Sequence, residues 1–267
     1  ITNIIDYITI AATGNAIDFG DLTSARNTAN SSNATRALFQ GGSNPSLSNV
    51  IDFVEIATTG NAADFGDLVA ASRSGCGGLT SSTRALHMGG VDPAETNKIQ
   101  FITIASQGNA TDYGDLVNAI QNNAPVTNTV RGMSCGGQGG PSNFATIDFF
   151  NIATGGTATD FGDLTESSEA SGTSNAHGGL TEGYQGTRIA PIPQGGGAGQ
   201  RAIYSTGSNP GKTTNMEFIQ INTLSNTTDF GNMTLARYGG APSSNSTRGL
   251  TGGGYDPGDS ASNVIDY

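Results

Sequence analysis

The sequence predicts an all-β fold assembled from five copies of one small sheet, and three observations carry that prediction. First, a strand-like run followed by a turn recurs along the chain. It reads VIDFVEI at Val50–Ile56 and ATTGNAADFGDL at Ala57–Leu68. It returns at Ile4–Leu22, Ile99–Leu116 and Ile147–Leu164, and in a worn copy, MEFIQINTLSNTTDFGNM, at Met216–Met233. Second, no sustained apolar pattern at helical spacing is present. Third, Gly pairs and Asn/Asp-Pro turns punctuate the runs at matching places, where Gly frees the backbone and Pro fixes φ.

One unit, taken in order from Arg26 to Leu68, opens with a Ser/Asn/Ala-rich stretch. TRALFQGG at Thr35–Gly42 then supplies a short apolar strand ended by a Gly pair. The turn Gly42-Ser43-Asn44-Pro45 follows, written again at Gly90–Pro93, Gly207–Pro210 and Gly254–Pro257. VIDFVEI is next, then the turn into ADFGDL. In Ile4–Ile10, Ile4, Ile8 and Ile10 fall on one strand face and Ile5 and Tyr7 on the other. Such a strand is expected to be covered on both sides, as in a small sheet packed between two neighbours.

Four short strands per unit fit the spacing of about 46 to 49 residues between copies, near the length of propeller repeats. The units start near Asp6, Asp52, Gln100, Asp148 and Glu217, with a partial copy, NVIDY, at Asn263–Tyr267. Gly-pair strands and DFG turns each number five. The expectation is therefore one domain over residues 1–267, a five-bladed β-propeller whose ring is closed by N- and C-terminal strands. Which of the two terminal IDY strands closes it stays open. The fourth unit carries extra residues at Glu169–Gly197, expected to project as a loop. His177, Tyr184, Arg188 and Ile192 in it are candidate contact residues; a tolerated surface loop is the alternative.

The net charge of −11 is mostly architecture, because the acids recur in the DFGD turns and in the strands as Asp6, Asp52, Asp148 and Asp266. An acidic chain disfavours nucleic acid as a partner, since phosphate binding needs clustered Lys and Arg. No apolar run is long enough to cross a membrane as a helix. Cys76 and Cys135 fall at different places in their repeats and imply neither a disulfide framework nor a metal site. The chain opens and closes partway through a repeat, as a processed product or a piece of something larger would.

Arg36, Arg84, Arg131, Arg201 and Arg248 open the Gly-pair strand of every unit. Each could pair with a repeat Asp and lock neighbouring blades, or the set could form a ring of cationic ligand sites. The first is favoured, because a residue in every copy serves what every copy shares. DFG invites a kinase reading, which fails for want of a phosphate loop with its Lys and of an HRD-like segment. Asn15, Asp18 and Asp21 place oxygens three residues apart and are a weak Ca²⁺ candidate; Asp capping the turn through backbone N–H groups is preferred. Only His87 and His177 are present, in unrelated positions, and the acids repeat with the fold. The expectation is a non-enzyme with no cofactor.

The order of apolar strand, Gly pair, polar turn, aromatic strand and later aromatic resembles a kelch-type β-propeller repeat over nearly the whole chain. Kelch repeats place Trp at the later aromatic, where this chain has Phe19, Phe65, Tyr113, Phe161 and Phe230. The wording IDYITIATTGNATDFGDLT with TRALFxGG is similar to repeats of virion structural proteins of tailed phages, especially those infecting marine cyanobacteria. That resemblance implies a capsid, tail or fibre component in the virion, contacting other virion proteins or host-surface glycans. The alternative is a carbohydrate-binding adhesin, with pockets between blades lined by the repeated Arg and aromatic residues.

Overall fold

Period-2 patterning and regularly placed Gly turn each repeat into an antiparallel meander. The computed structural model describes residues 1–72, 77–128, 130–167, 169, 171–174, 201–205, 207, 211–244 and 248–267. Blade I is β3 (Ala29–Ser32), β4 (Arg36–Ser43), β5 (Leu47–Glu55) and β6 (Ala63–Asp67), paired in that order. Blade II is β7 (Gly77–Thr80), β8 (Arg84–Met88), β9 (Lys98–Thr103) and β10 (Thr111–Asp115). Blade III is β11 (Ala124–Thr127), β12 (Arg131–Cys135), β15 (Thr146–Asn151) and β16 (Thr159–Asp163). A two-stranded ribbon, β13 (Gln138–Gly139) with β14 (Ser142–Asn143), rises from its β12–β15 connection. Blade IV is β17 (Ser171–Ser174), β18 (Arg201–Ser205), β19 (Asn215–Gln220) and β20 (Thr228–Asn232). Blade V is β21 (Ala241–Ser244), β22 (Gly249–Gly252) and β23 (Ile265–Asp266).

The protein is a five-bladed β-propeller. The first strands of all five blades, β3, β7, β11, β17 and β21, line one central cavity of about 490 Å³. The two chain ends are used separately. β23 takes the third place in blade V, beside β22. The N-terminal copy forms a hairpin, β1 (Ile4–Tyr7) with β2 (Ile17–Asp21), and this hairpin is hydrogen-bonded to blade I. The duplicated IDY segments are thus divided: Ile265–Asp266 joins the C-terminal sheet, and Ile4–Tyr7 pairs with β2.

Apolar side chains meet between blades, because a sheet this thin cannot bury both faces alone. One cluster joins Leu38, Ile51 and Phe65 of blade I to Ala85, Ile102 and Ile104 of blade II. A second joins Leu86, Met88 and Tyr113 to Phe150 and Ile152 of blade III. A third joins Met133, Cys135 and Phe161 to Tyr204, Ile219 and Ile221 of blade IV. Two-sided cover therefore holds for the inner copies. It does not hold for the N-terminal copy, where Ile4, Ile8 and Ile10 are exposed.

The expected loop at Glu169–Gly197 needs correcting at its start. Ser171–Ser174 is β17, the innermost strand of blade IV, paired with β18 through Ser171–Ser205 and Ser174–Ala202. The residues added to the repeat thus fall between β17 and β18.

Candidate functional site

The recurring chemistry is spent at the joints between blades. In the DFGD turn the first Asp caps the Gly: Asp64 Oδ1 accepts from Gly66 N at 3.0 Å, and Asp160 and Asp229 do the same for Gly162 and Gly231. The Gly sits at positive φ, +144° for Gly66, beside a bulge in the strand pairing. A Cβ there would lie 2.5 Å from the Gly108 carbonyl oxygen of the next blade. Only Gly admits that approach. Across it, Gly108 N donates to Phe65 O at 2.9 Å and Ala110 N to Asp67 O at 2.8 Å. Asn109 Oδ1 accepts from Asp67 N at 3.0 Å. DFGD is a splice between sheets.

The repeated Arg residues close the other side of the joint, by a route unlike the expected pairing with repeat Asp. The guanidinium groups of Arg36, Arg84, Arg131, Arg201 and Arg248 lie over Phe53, Phe101, Phe149, Phe218 and Tyr267, 4.8–5.4 Å from the ring centroids. Behind these, Phe53, Phe101, Phe149 and Phe218 meet Phe65, Tyr113, Phe161 and Phe230 edge to face. Arg36, Arg84 and Arg131 also donate to Ile104 O, Ile152 O and Ile221 O of the following blade, at 2.8–2.9 Å. Arg36 pairs with Glu55, which is not a repeat Asp. Arg and aromatic residues occupy one another here, so these joints act as clasps between blades.

The strand acids form a separate series. Each accepts from the backbone N–H that follows the preceding outer strand: Thr23 N to Asp52, Val117 N to Asp148, Thr165 N to Glu217, Thr234 N to Asp266. Blade II does the same with a neutral side chain, Val69 N to Gln100 Oε1 at 2.6 Å. The position needs an acceptor, not a charge. Arg26 meets Asp52 at 2.9 Å and Arg237 meets Asp266 at 2.7 Å, all four groups being buried. Among the described residues Asp148 meets no such cation. Burial pushes its carboxyl up to about 6, opposed by the Val117 N–H and assisted by the Asp160 charge. Asp6, the first of the series, is exposed.

Among buried groups, His87 Nδ1 lies 3.2 Å from Gln40 Oε1, and burial pulls its imidazole down to about 4. Cys135 Sγ contacts Tyr204 Oη at 2.9 Å, and burial raises both groups. Neither pair opens to a nucleophile's substrate. For the Ca²⁺ candidate, Asn61, Asn109 and Asn226, the counterparts of Asn15, use their oxygens on backbone N–H groups of the preceding outer strand. Asn15 and Asp18 are exposed and Asp21 is half-buried. Among the described residues no three His, Cys, Asp or Glu are grouped to hold a metal, and no helix is long and apolar enough to cross a membrane. His177, Tyr184, Arg188 and Ile192 lie outside the described residues, as does Cys76.

A second kind of position varies. The linkers from one blade's outer strand to the next inner strand place Asn27, Gln121, Glu169 and Tyr238 at one equivalent point. There, the backbone oxygens of Asn27, Glu169 and Tyr238 press on Gly42, Gly207 and Gly254 of their own blades. An open cleft of about 660 Å³ lies at this end of blades III to V, lined by Gln138, Pro141, Ser142, Asn143, Ser167, Glu169 and Tyr238. Sequence reasoning missed it. The available signal was the substitution pattern, different side chains where everything around them repeats.

Compared with known proteins, the chain matches no protein-family model and no curated protein. Its class rests on its architecture, a five-bladed β-propeller compatible with an interaction module.

Proposed function

We propose that this protein is a non-enzymatic interaction module of a virus particle, a capsid, tail or fibre component that displays a β-propeller for protein or host-surface contacts. One observation carries the interaction half of this reading. The repeated Arg, Asp, Asn and aromatic groups are consumed in blade-to-blade clasps, and the side chains that differ between copies are gathered on the linkers and connections at one end. Chemistry shared by every copy serves the ring, and what differs is free to serve a contact. The particle half is supported by the likeness of the IDYITIATTGNATDFGDLT and TRALFxGG wording to virion repeats of tailed phages.

The test is location. Antiserum raised against the recombinant propeller should decorate purified tailed-phage particles of marine cyanobacteria in immunoelectron microscopy, at one repeated position on capsid, tail or fibre. Finding the antigen only in the soluble fraction of infected cells, with particles unlabelled, removes the virion assignment.

A further inference from the structure

We propose that the third place of blade V is an exchange site. The N-terminal hairpin stands ready to take it from Ile265–Asp266, shutting the ring as Asn263–Tyr267 is released. The inference goes beyond the interaction role and does not depend on it.

Two segments of the chain are written for that place. Asn3-Ile4-Ile5-Asp6-Tyr7 and Asn263-Val264-Ile265-Asp266-Tyr267 differ at one position, Ile4 against Val264. β23 holds the place by two residue pairs, Gly252 with Ile265 and Thr251 with Asp266, where five join the equivalent strands of blades II, III and IV. Its advantage is a short, braced connection, in which Ser262 N donates to Gly254 O at 2.8 Å and Gly253 N to Val264 O at 3.1 Å. A short tether raises the effective concentration of β23 at the edge of β22. The seat itself is unsettled. Ile265 and Tyr267 are exposed. Arg237, the buried partner of Asp266, leaves Nε and Nη1 without hydrogen-bond partners. Its counterpart Arg26 spends Nε on Gly41 O and Nη1 on Ser24 Oγ, each at 2.9 Å.

The hairpin is already aligned for the same place. β2 is spliced to blade I as β6 is to blade II: Gly60 N donates to Phe19 O and Ala62 N to Asp21 O, both at 2.8 Å, and Asn61 Oδ1 accepts from Asp21 N at 3.1 Å. It stands as the outer strand of the blade before blade I, and in a ring of five that blade is blade V. The repeat register then sets Ile5 opposite Gly252, Asp6 opposite Thr251 and Thr9 opposite Arg248. Blade IV is the template, with Met216 opposite Ser205, Glu217 opposite Tyr204 and Gln220 opposite Arg201. Asp6, exposed in the hairpin, would meet Arg237. Ile8 and Ile10 match the buried Ile219 and Ile221, and so fall against Met216 and Phe230 in the crevice of about 320 Å³ between blades IV and V. β2 supplies the fourth strand that blade V lacks among the described residues. The seam this closes is visible in the ring: inner strands pack in the order β3, β7, β11, β17, β21, and β21 does not pack on β3 to the same degree. Exchange keeps the edge of β22 paired, so Asn263–Tyr267 is free to add to another sheet edge without baring this one.

The experiment evicts β23 from the full 267-residue chain. Ile265→Pro removes a backbone donor, and Asp266→Lys sets a like charge against the buried Arg237. Thr9→Cys with Arg248→Cys, in a Cys76→Ser background, reports the hairpin in its new place as a disulfide within one chain, read by mass spectrometry of the monomer. With β23 seated no such disulfide should form; with β23 evicted it should. Separately, Ile10→Ala, neutral while β23 is seated, should lower the melting temperature of the evicted chain by several degrees. That readout needs no added cysteine and decides if the Cys pair disturbs blade V. An evicted chain that melts cooperatively with neither the disulfide nor a cost at Ile10 overturns the proposal. So does an evicted chain that fails to fold, because the hairpin then does not stand in for β23. A disulfide found only between chains gives the place to a second copy, and one formed with β23 still seated denies the exchange; either overturns it. Labelling of phage particles bears on the virion role alone.

Discussion

At the joint between blades III and IV, Phe161 is 4% exposed; at the next joint its counterpart Phe230 is 46% exposed. The two residues occupy the same place in the same turn, each edge to face with the aromatic of its own blade. The difference lies in what arrives from the following unit. Blade IV sends Ile219 and Ile221 against Phe161 and its neighbours. Blade V ends its third strand at Asp266, and a crevice of about 320 Å³ lined by Ile203, Met216, Phe230, Leu250 and Tyr267 opens there. Residues matching the missing cover exist in the N-terminal copy as Ile8 and Ile10, but Ile10 is 96% exposed, where its equivalent Ile104 is 0% exposed. A blade of this type is therefore stabilised by the later half of the next repeat, as nearest-neighbour repeat energetics requires.

That comparison can be broken by mutation, and the largest effect is expected from charge. Arg26→Ala should cost about 3–5 kcal/mol, because it strands the Asp52 carboxylate inside the protein. Glu55→Ala, which opens the half-exposed Arg36 pair, should cost about 0–1 kcal/mol. Urea denaturation of both variants measures the contrast, and equal costs would mean that the strand acids do not hold neighbouring units together. Next comes the same repeat position tested twice. Ile104→Ala should lose about 2–5 kcal/mol and Ile10→Ala no more than about 0.5 kcal/mol. Similar losses would show that the N-terminal hairpin is covered in solution.

A smaller effect separates Asp148 from Asp52. Asp148 carries a raised carboxyl, about 6 in the fold, so the native state holds its proton more tightly than the unfolded chain does. Its contribution is greatest at low pH and is lost as pH rises from about 4 through 6. Asp148→Asn should thus be close to neutral at pH 4 and stabilising at pH 7, on the order of 2 kcal/mol. Gln100, at the same place in blade II, shows that an amide fits. His87 works in the opposite sense over the same window. With its imidazole pulled down to about 4, the unfolded state binds the extra proton, and stability is lost as pH falls from about 6.5 toward 4. His87→Gln should therefore unmask a decline in stability with rising pH, and Asp148→Asn an increase, in melting curves run from pH 4 to 7. Smaller than the Asp148 effect, Arg84→Ala should cost about 1–2 kcal/mol through its ring contact and carbonyl bonds. A loss below about 0.5 kcal/mol would show the clasp to be decorative.

Much of the fold was legible because its causes are local and repeated. Alternating apolar residues mark strands, Gly66 and its equivalents mark a backbone at positive φ, and five copies mark five blades. The partners of the repeated groups were not legible. A repeat shows which residues are equivalent, but Arg84 meets the carbonyl of Ile152, and Asn109 meets the backbone of Asp67, across sheets that the sequence does not order in space. β17 was hidden for a related reason: Ser171–Ser174 carries no apolar alternation and becomes a strand because β18 pairs with it.

By itself the sequence determined the unit, its strands, its Gly-dependent splice and the number of blades, since these follow from side-chain period and backbone conformation within a few tens of residues. Only the tertiary structure decided which copies are covered, which acids find a cation, and that Gln138, Glu169 and Tyr238 of three different connections share one cleft. Packing of successive blades brings residues 31 and 69 positions apart in the chain to a common wall, and no local pattern encodes that meeting.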